Sequence, residues 1–480
     1  MRTLYTFING EKKYFYIPKV SKPAYWIARD VKTGVPTSYR TYYRVNLDGT
    51  TSDETLVYNY NYLMSSTYST PRLFGHKFDN ELQRTIIYHS NCDSLTQGST
   101  ATTYYRIYDA DMNQIKELTH DISYPSTGSS STYNNNRHLL LTMFSGYLTQ
   151  SGQPYETSRY LRIIDLVNLR MLTKSFTWPN GKESAVLSSW YDSNTKKLRV
   201  LCKNWYTPDS SSTQSMGISV YEVNLTSDEY DVNPIFSYKF NAVANLIHYS
   251  FLQGAIPYAW DSPKVSIYPM STQNARNMFF MYDFVNNTIT SVNYTQSYIS
   301  NSVQGQGGLI TSPNGNDYIA LYMKWDGLSD TSTSLYRWSL ANGLTTPTSS
   351  LGDRRTNAVY ITCWNQDYCL GVAGSDSTAG VGKAAIYWTD NSNAYNYYNP
   401  TIYEATSGNP ISSTSAGSIG SNTSSTKYLA INKRENTSNP VKYMNVIDRD
   451  DIQTTIKLDL TTNTAFANDG WNSWSGFFTY

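Results

Sequence analysis

Charge is scarce in this chain. Asp, Glu, Lys and Arg make up 16% of its 480 residues, against roughly 25% in an ordinary soluble domain. The 38 basic and 37 acidic residues cancel to a formal +1, which leaves no electrostatic footprint for a nucleic-acid backbone and argues against that class of partner. Long apolar runs are missing as well. Nowhere do about 18 apolar residues follow one another, so no membrane insertion is expected. Residues 1–13 break their apolar run early and enter a hairpin signal at Asn9-Gly10, which is not the pattern of a secretory signal. The four cysteines, Cys92, Cys202, Cys363 and Cys369, are too few for a disulfide framework in a chain of this size. Cys363 and Cys369 flank a turn at 364–368 and could bridge across a hairpin, although composition favours two reduced, half-buried thiols.

Motifs that carry chemistry are absent too. All five histidines, His76, His89, His120, His138 and His248, fall in the first 248 residues, and none has another His at ligand spacing, so no metal site is expected. Asp109-Ala110-Asp111-Met112-Asn113 opens like a calcium loop, but Gln114 stands where Gly is required and His120 where the bidentate Glu belongs; a turn is the expected reading. There is no Gly-x-Ser-x-Gly and no His-Glu-x-x-His. The glycines at 305, 307 and 308 lack the Lys-Ser or Lys-Thr of a phosphate cradle. The repeated Ser-x-Asp-x-Gly-x-x-x-Trp pattern of sialidase-like propellers does not occur. No cofactor and no catalytic residue is expected, and the chain reads as a non-enzyme. A glycoside-cleaving carboxylate pair drawn from distant positions is the arrangement that sequence order would hide.

What the sequence does have is a repeat. An apolar or aromatic strand runs into a short Asp or Asn turn around Val45, Ile107, Ile163, Val220, Met281, Trp338, Ile386 and Val446. The steps between these anchors are 62, 56, 57, 61, 57, 48 and 60 residues, a mean of about 57, which is room for one four-stranded blade and its loops. Strand signals dominate throughout and helix signals do not; the scattered apolar spacing at 241–252 is short and uncapped. The expected fold is all-β, a single β-propeller of seven or eight four-stranded blades spanning 1–480, with the N-terminal hairpin and the C-terminal segment closing the ring. Three polar low-complexity runs, 128–136, 208–215 and 412–425, are expected to be loops on the face opposite the short turns.

Solubility at so low a charge falls to hydroxyls and amides, and Tyr alone numbers 44. Aromatic residues cluster near the end, where Tyr395, Tyr397, Trp471 and Trp474 are the candidates for an interface or a glycan contact. Packing between blades is the competing role for any aromatic residue here. A chain with no export signal, no cofactor motif, balanced charge and abundant Tyr, Asn, Ser and Thr resembles the virion-associated β-propeller proteins of bacteriophages, such as tail nozzle and other tail or capsid components. The resemblance is one of composition and architecture, and no single residue carries over. It implies a non-enzymatic structural protein of the virion, assembled in the host cytoplasm and released by lysis. Its partners would be other virion proteins in a symmetric oligomer and a host surface glycan. A lectin-like propeller and, behind it, a glycan-degrading enzyme are the alternatives.

Overall fold

In the computed structural model the backbone is described for the strands named below and their shorter turns. Side chains are described for 22–27, 42–50, 76–79, 82–88, 102–120, 162–172, 187–202, 218–227, 233–238, 263–265, 282–289, 386, 398, 400–405, 407–410, 427–431, 442–461 and 476–480. The chain is all-β, with no helix among the described residues.

Arg2–Ile8 and Glu11–Ile17 form a separate two-stranded antiparallel sheet whose register ends at Ile8 opposite Glu11. Among the described residues the remaining strands make eight antiparallel sheets, each an up-and-down meander. The first sheet takes its first strand from the far end of the sequence: Gly476–Thr479 pairs with Ala24–Lys32, which is followed by Thr37–Asn46 and Thr51–Asn61. The second runs Phe74–Asp79, Arg84–Cys92, Thr100–Tyr108 and Gln114–Ser123. The third and fourth begin at Ser129–Asn134 and Glu183–Asp192, and in each the outer strand is split into two short pieces on the same partner. The other four begin at Leu252–Pro257, Gly308–Thr311, Val359–Cys363 and Ser418–Ser424. All eight repeat anchors fall on the third strand of their sheet. The repeat of about 57 residues is therefore one meander.

Two of the polar runs turn out not to be loops. Ser129–Asn134 and Ser418–Ser424 are first strands of the third and eighth sheets. Their Ser, Thr, Asn and Gly content reads as loop because those residues pack little. Pairing with the apolar His138–Leu148 and with Tyr428–Arg434 supplies the register that their own composition does not.

Period-two alternation sends successive side chains to different neighbours. Ile163, on the third strand of the third sheet, joins Leu198, Val200, Cys202, Tyr221 and Val223 of the fourth. Ile164, the next residue, packs with Ile86, Tyr88, Tyr105 and Ile107 of the second. On the fourth sheet Leu201 and Val220 meet Val265, Tyr282 and Phe284 of the fifth. The third and fourth sheets are apolar on both faces, so neither can bury its surface alone. Between the seventh and eighth sheets a connecting segment docks on Asn445, which is 0% exposed. The Asn445 side chain accepts from the Tyr403 N–H at 2.8 Å and donates to the Tyr403 carbonyl at 2.9 Å, acting as one more rung of backbone.

Candidate functional site

The acidic turns are the first group with chemical potential, and most of it is consumed locally. Asp165 is 1% exposed. Its carboxylate accepts from the N–H groups of Val167 at 2.9 Å and Asn168 at 3.1 Å and from the Asn168 amide at 2.7 Å, with Arg170 at 3.8 Å. Asp283 repeats the pattern with Val285 and Asn286, and Asn224 with Thr226 and Ser227. Asp109 accepts from the N–H groups of Asp111 at 3.0 Å and Asn113 at 2.8 Å, while Met112 takes a left-handed φ of 62°. The stretch that opens like a calcium loop is thus a closed turn. Hydrogen bonding from the Thr195 hydroxyl holds the Asp192 carboxyl below its usual range, and the Lys22 ammonium at 2.7 Å does the same for Asp48. No group of three His, Cys, Asp or Glu able to hold a metal ion occurs among the described residues.

Burial sets what each turn is worth. Asp165→Ala removes a buried carboxylate that satisfies several donors of a part-buried turn and is expected to destabilise the chain by about 1–3 kcal/mol. The same change at the exposed Asp48 turn is expected to cost clearly less, because solvent screens its contacts. Urea unfolding of the two variants measures the difference; equal losses would remove burial as the cause.

Arginines tie these turns to the preceding sheet. Arg84 of the second sheet donates to the carbonyl of Leu166 and, at 3.0 Å, to that of Val167 in the third. Arg170 donates to the carbonyl of Leu225 in the fourth sheet, and Arg199 to that of Phe284 in the fifth. Leu166, Leu225 and Phe284 are buried and each directly follows the turn-capping Asp or Asn. Arg199 also donates to Glu222 at 3.2 Å, which the forked guanidinium allows. These arginines are absent from the repeat seen in the sequence, because they lie on different strands and at different offsets from the anchors.

Among the described residues, a polar and aromatic constellation lies where the first and second sheets meet. Nε2 of His76 lies 2.8 Å from the carbonyl oxygen of Gly476 and Nδ1 lies 3.1 Å from the Tyr42 hydroxyl. A carbonyl can only accept, so Nε2 carries the proton, and in the neutral ring Nδ1 accepts from Tyr42. His76 therefore holds the strand Gly476–Thr479 in place. Trp26 donates from Nε1 to the Thr479 hydroxyl at 3.0 Å, and Phe477 packs beside Trp26, Tyr42 and His76. Lys77, next along the strand, falls on the other face, and burial holds its ammonium below the usual lysine range. His120 accepts from the buried Arg162 at 2.6 Å, so that ring is neutral too.

Of the residues singled out by sequence, Tyr395 and Tyr397 lie on Tyr395–Tyr398, the edge strand of the seventh sheet. Trp471 and Trp474 lie outside the described residues. The structure does not bring the four together within its described part. Their aromatic neighbours Phe477 and Phe478 are 2% and 1% exposed and serve packing.

No protein-family model matches the chain, and no curated protein matches it by sequence. Solved structures do resemble it. The dipeptidyl peptidase 4 of Porphyromonas gingivalis is 8% identical over 90% of this chain and 59% of its own, with a TM-score of 0.43. A mutant of Synechocystis apocarotenoid oxygenase is 10% identical over 69% and 70%, at 0.37, and a chimera of that oxygenase with RPE65 is 11% identical over 56% and 58%, at 0.34. The chain thus spans about three fifths of the length of the chimera and of the peptidase.

These findings correct the reading from composition. The structures matched here are enzymes and not virion proteins, so the resemblance to phage tail or capsid components is withdrawn. With it go the non-enzymatic structural role, host attachment and the expectation that the chain is not an enzyme. The physical reason is that low charge and abundant hydroxyls follow from a sheet-rich chain, whose acids and arginines are used in turns and clasps. They do not record where a protein works. At these TM-scores no activity and no residue role passes to this chain.

Proposed function

We propose that the chain closes into an eight-bladed β-propeller that binds carbohydrate on an aromatic part of its rim. Eight successive meanders support the ring, as do apolar clusters joining the first sheet to both the eighth and the second. Closure of the first blade by a strand from the far end of the sequence removes an open edge, a common device in propellers.

The binding reading rests on one arrangement. Tyr395 and Tyr397 are two apart on an edge strand, so they share one of its faces roughly 7 Å apart. The opposite face is occupied, since the Tyr398 hydroxyl donates to the Gln453 carbonyl of the eighth sheet at 3.2 Å. Tyrosine offers an apolar ring face and a hydroxyl together, which suits a ligand with C–H faces and many hydroxyls.

The test is a glycan array probed with the full chain and with a Tyr395→Ala/Tyr397→Ala double variant. Binding of at least one glycan, weakened about tenfold in the variant at unchanged melting temperature, is the expected result. Silence across the array, or binding that ignores the double substitution, would overturn the reading. A reducing-end assay on the bound glycan decides whether the site also cleaves.

A further inference from the structure

The four cysteines fall on three of the eight sheets, two of them on neighbouring strands of the seventh. In the seventh sheet Val359–Cys363 pairs antiparallel with Cys369–Ala373, and the last pair of the register is Cys363 to Cys369. Residues directly opposed on antiparallel strands lie on the same face, with Cα atoms about 4.5–5.5 Å apart. That spacing falls inside the roughly 4.4–6.8 Å that a disulfide spans. Neither of the other cysteines has this placement. Cys92 stands opposite Ala101, and Cys202 stands opposite Val186 and Ser219. Cys202 is also 0% exposed within the cluster between the third and fourth sheets, which removes it from exchange with solvent.

We propose that Cys363 and Cys369 are a redox pair that closes to a cross-strand disulfide between Val359–Cys363 and Cys369–Ala373. The oxidant is an external small-molecule disulfide such as oxidised glutathione. One protein thiolate attacks a sulfur of that disulfide, forming a mixed disulfide and expelling one thiolate. The second protein thiolate then attacks the protein-side sulfur and expels the other. Two protein thiols lose two protons and two electrons, and the external disulfide becomes two thiols. The hairpin needs no rearrangement of register for this, because the pair is already opposed.

The inference is independent of the carbohydrate reading. The folded full-length chain is incubated with oxidised glutathione, the remaining thiols are alkylated, and the intact and digested protein is weighed. The expected product has lost two hydrogens, with one linked peptide containing Cys363 and Cys369 and with Cys202 unmodified until denaturation. Cys363→Ala and Cys369→Ala are each expected to trap a glutathione adduct on the surviving partner instead, and this arm needs only that the variant keep the wild-type circular dichroism. Free alkylation of both residues after oxidation, or a separate glutathione on each in the wild type, would overturn the proposal. If the single variants fail to fold, the linked peptide in the wild-type protein alone decides.

Discussion

Phe478→Ala is expected to lower the unfolding free energy by about 3–5 kcal/mol, the usual cost of emptying a fully packed aromatic site. Phe478 is 1% exposed and lies between two sheets that the sequence separates by the whole length of the chain. Its ring centroid is 4.7 Å from that of Tyr25 in the first sheet and 5.5 Å from that of Tyr428 in the eighth. Met444, Val446, Leu458 and Leu460 of the eighth sheet belong to the same cluster. Truncation therefore opens a cavity and unfastens a joint together. Phe478→Leu, which keeps most of the apolar volume, should lose less than half as much. Urea unfolding followed by tryptophan fluorescence measures both, and a loss below about 1 kcal/mol for Phe478→Ala would mean that the strand contributes little to holding the two sheets.

Gly476→Ala is the second large effect, expected at about 3 kcal/mol, the upper end for overpacking by one methyl group. A Cβ at this position would overlap the Trp26 carbonyl oxygen and sit 2.5 Å from the Tyr25 hydroxyl oxygen. The carbonyl belongs to backbone already paired in register, Trp26 with Phe477 and Ile27 with Gly476, so it cannot swing aside as a flexible side chain would. Shifting the strand instead would disturb the His76 contact with the Gly476 carbonyl and the packing of Phe477. Because Gly476→Ala and Phe478→Ala undo the same four-residue strand, the double variant should lose clearly less than the sum. Additive losses would show that the two residues act on separate structures.

The repeat was legible for a local reason. A strand that enters a tight turn needs an apolar run followed by Asp or Asn, and that signature survives in eight copies although almost nothing else does. Each anchor lies on a third strand, and Asp165, Asp283 and Asn224 do the capping that their residue type foretells. The first strands were harder. Ser129–Asn134 and Ser418–Ser424 carry loop-like composition, and they are strands because an apolar neighbour pairs with them. Sequence pattern cannot display that neighbour's contribution.

The candidate site was legible only as residue types. Tyr395 and Tyr397 could be named as aromatic, but whether they lay within a sheet or on its edge depends on whether a further strand pairs beyond them. Asn445 was missed, since an amide that replaces a rung of backbone has no sequence signature and is recognised only by its partner, Tyr403, 42 positions away. His76 was seen as a lone histidine without a ligand partner, and its actual partner is a backbone carbonyl 400 positions distant.

By itself the sequence determined the class, the length of the repeat and the turn chemistry, because strand alternation and turn capping act between residues a few positions apart. Which strand begins each sheet, which arginine clasps which carbonyl, and which four residues of the C-terminal segment pair with the first sheet were decided in three dimensions. Those contacts depend on hydrogen-bond register and on the shape of the neighbouring surface, and neither quantity is encoded at a fixed spacing along the chain.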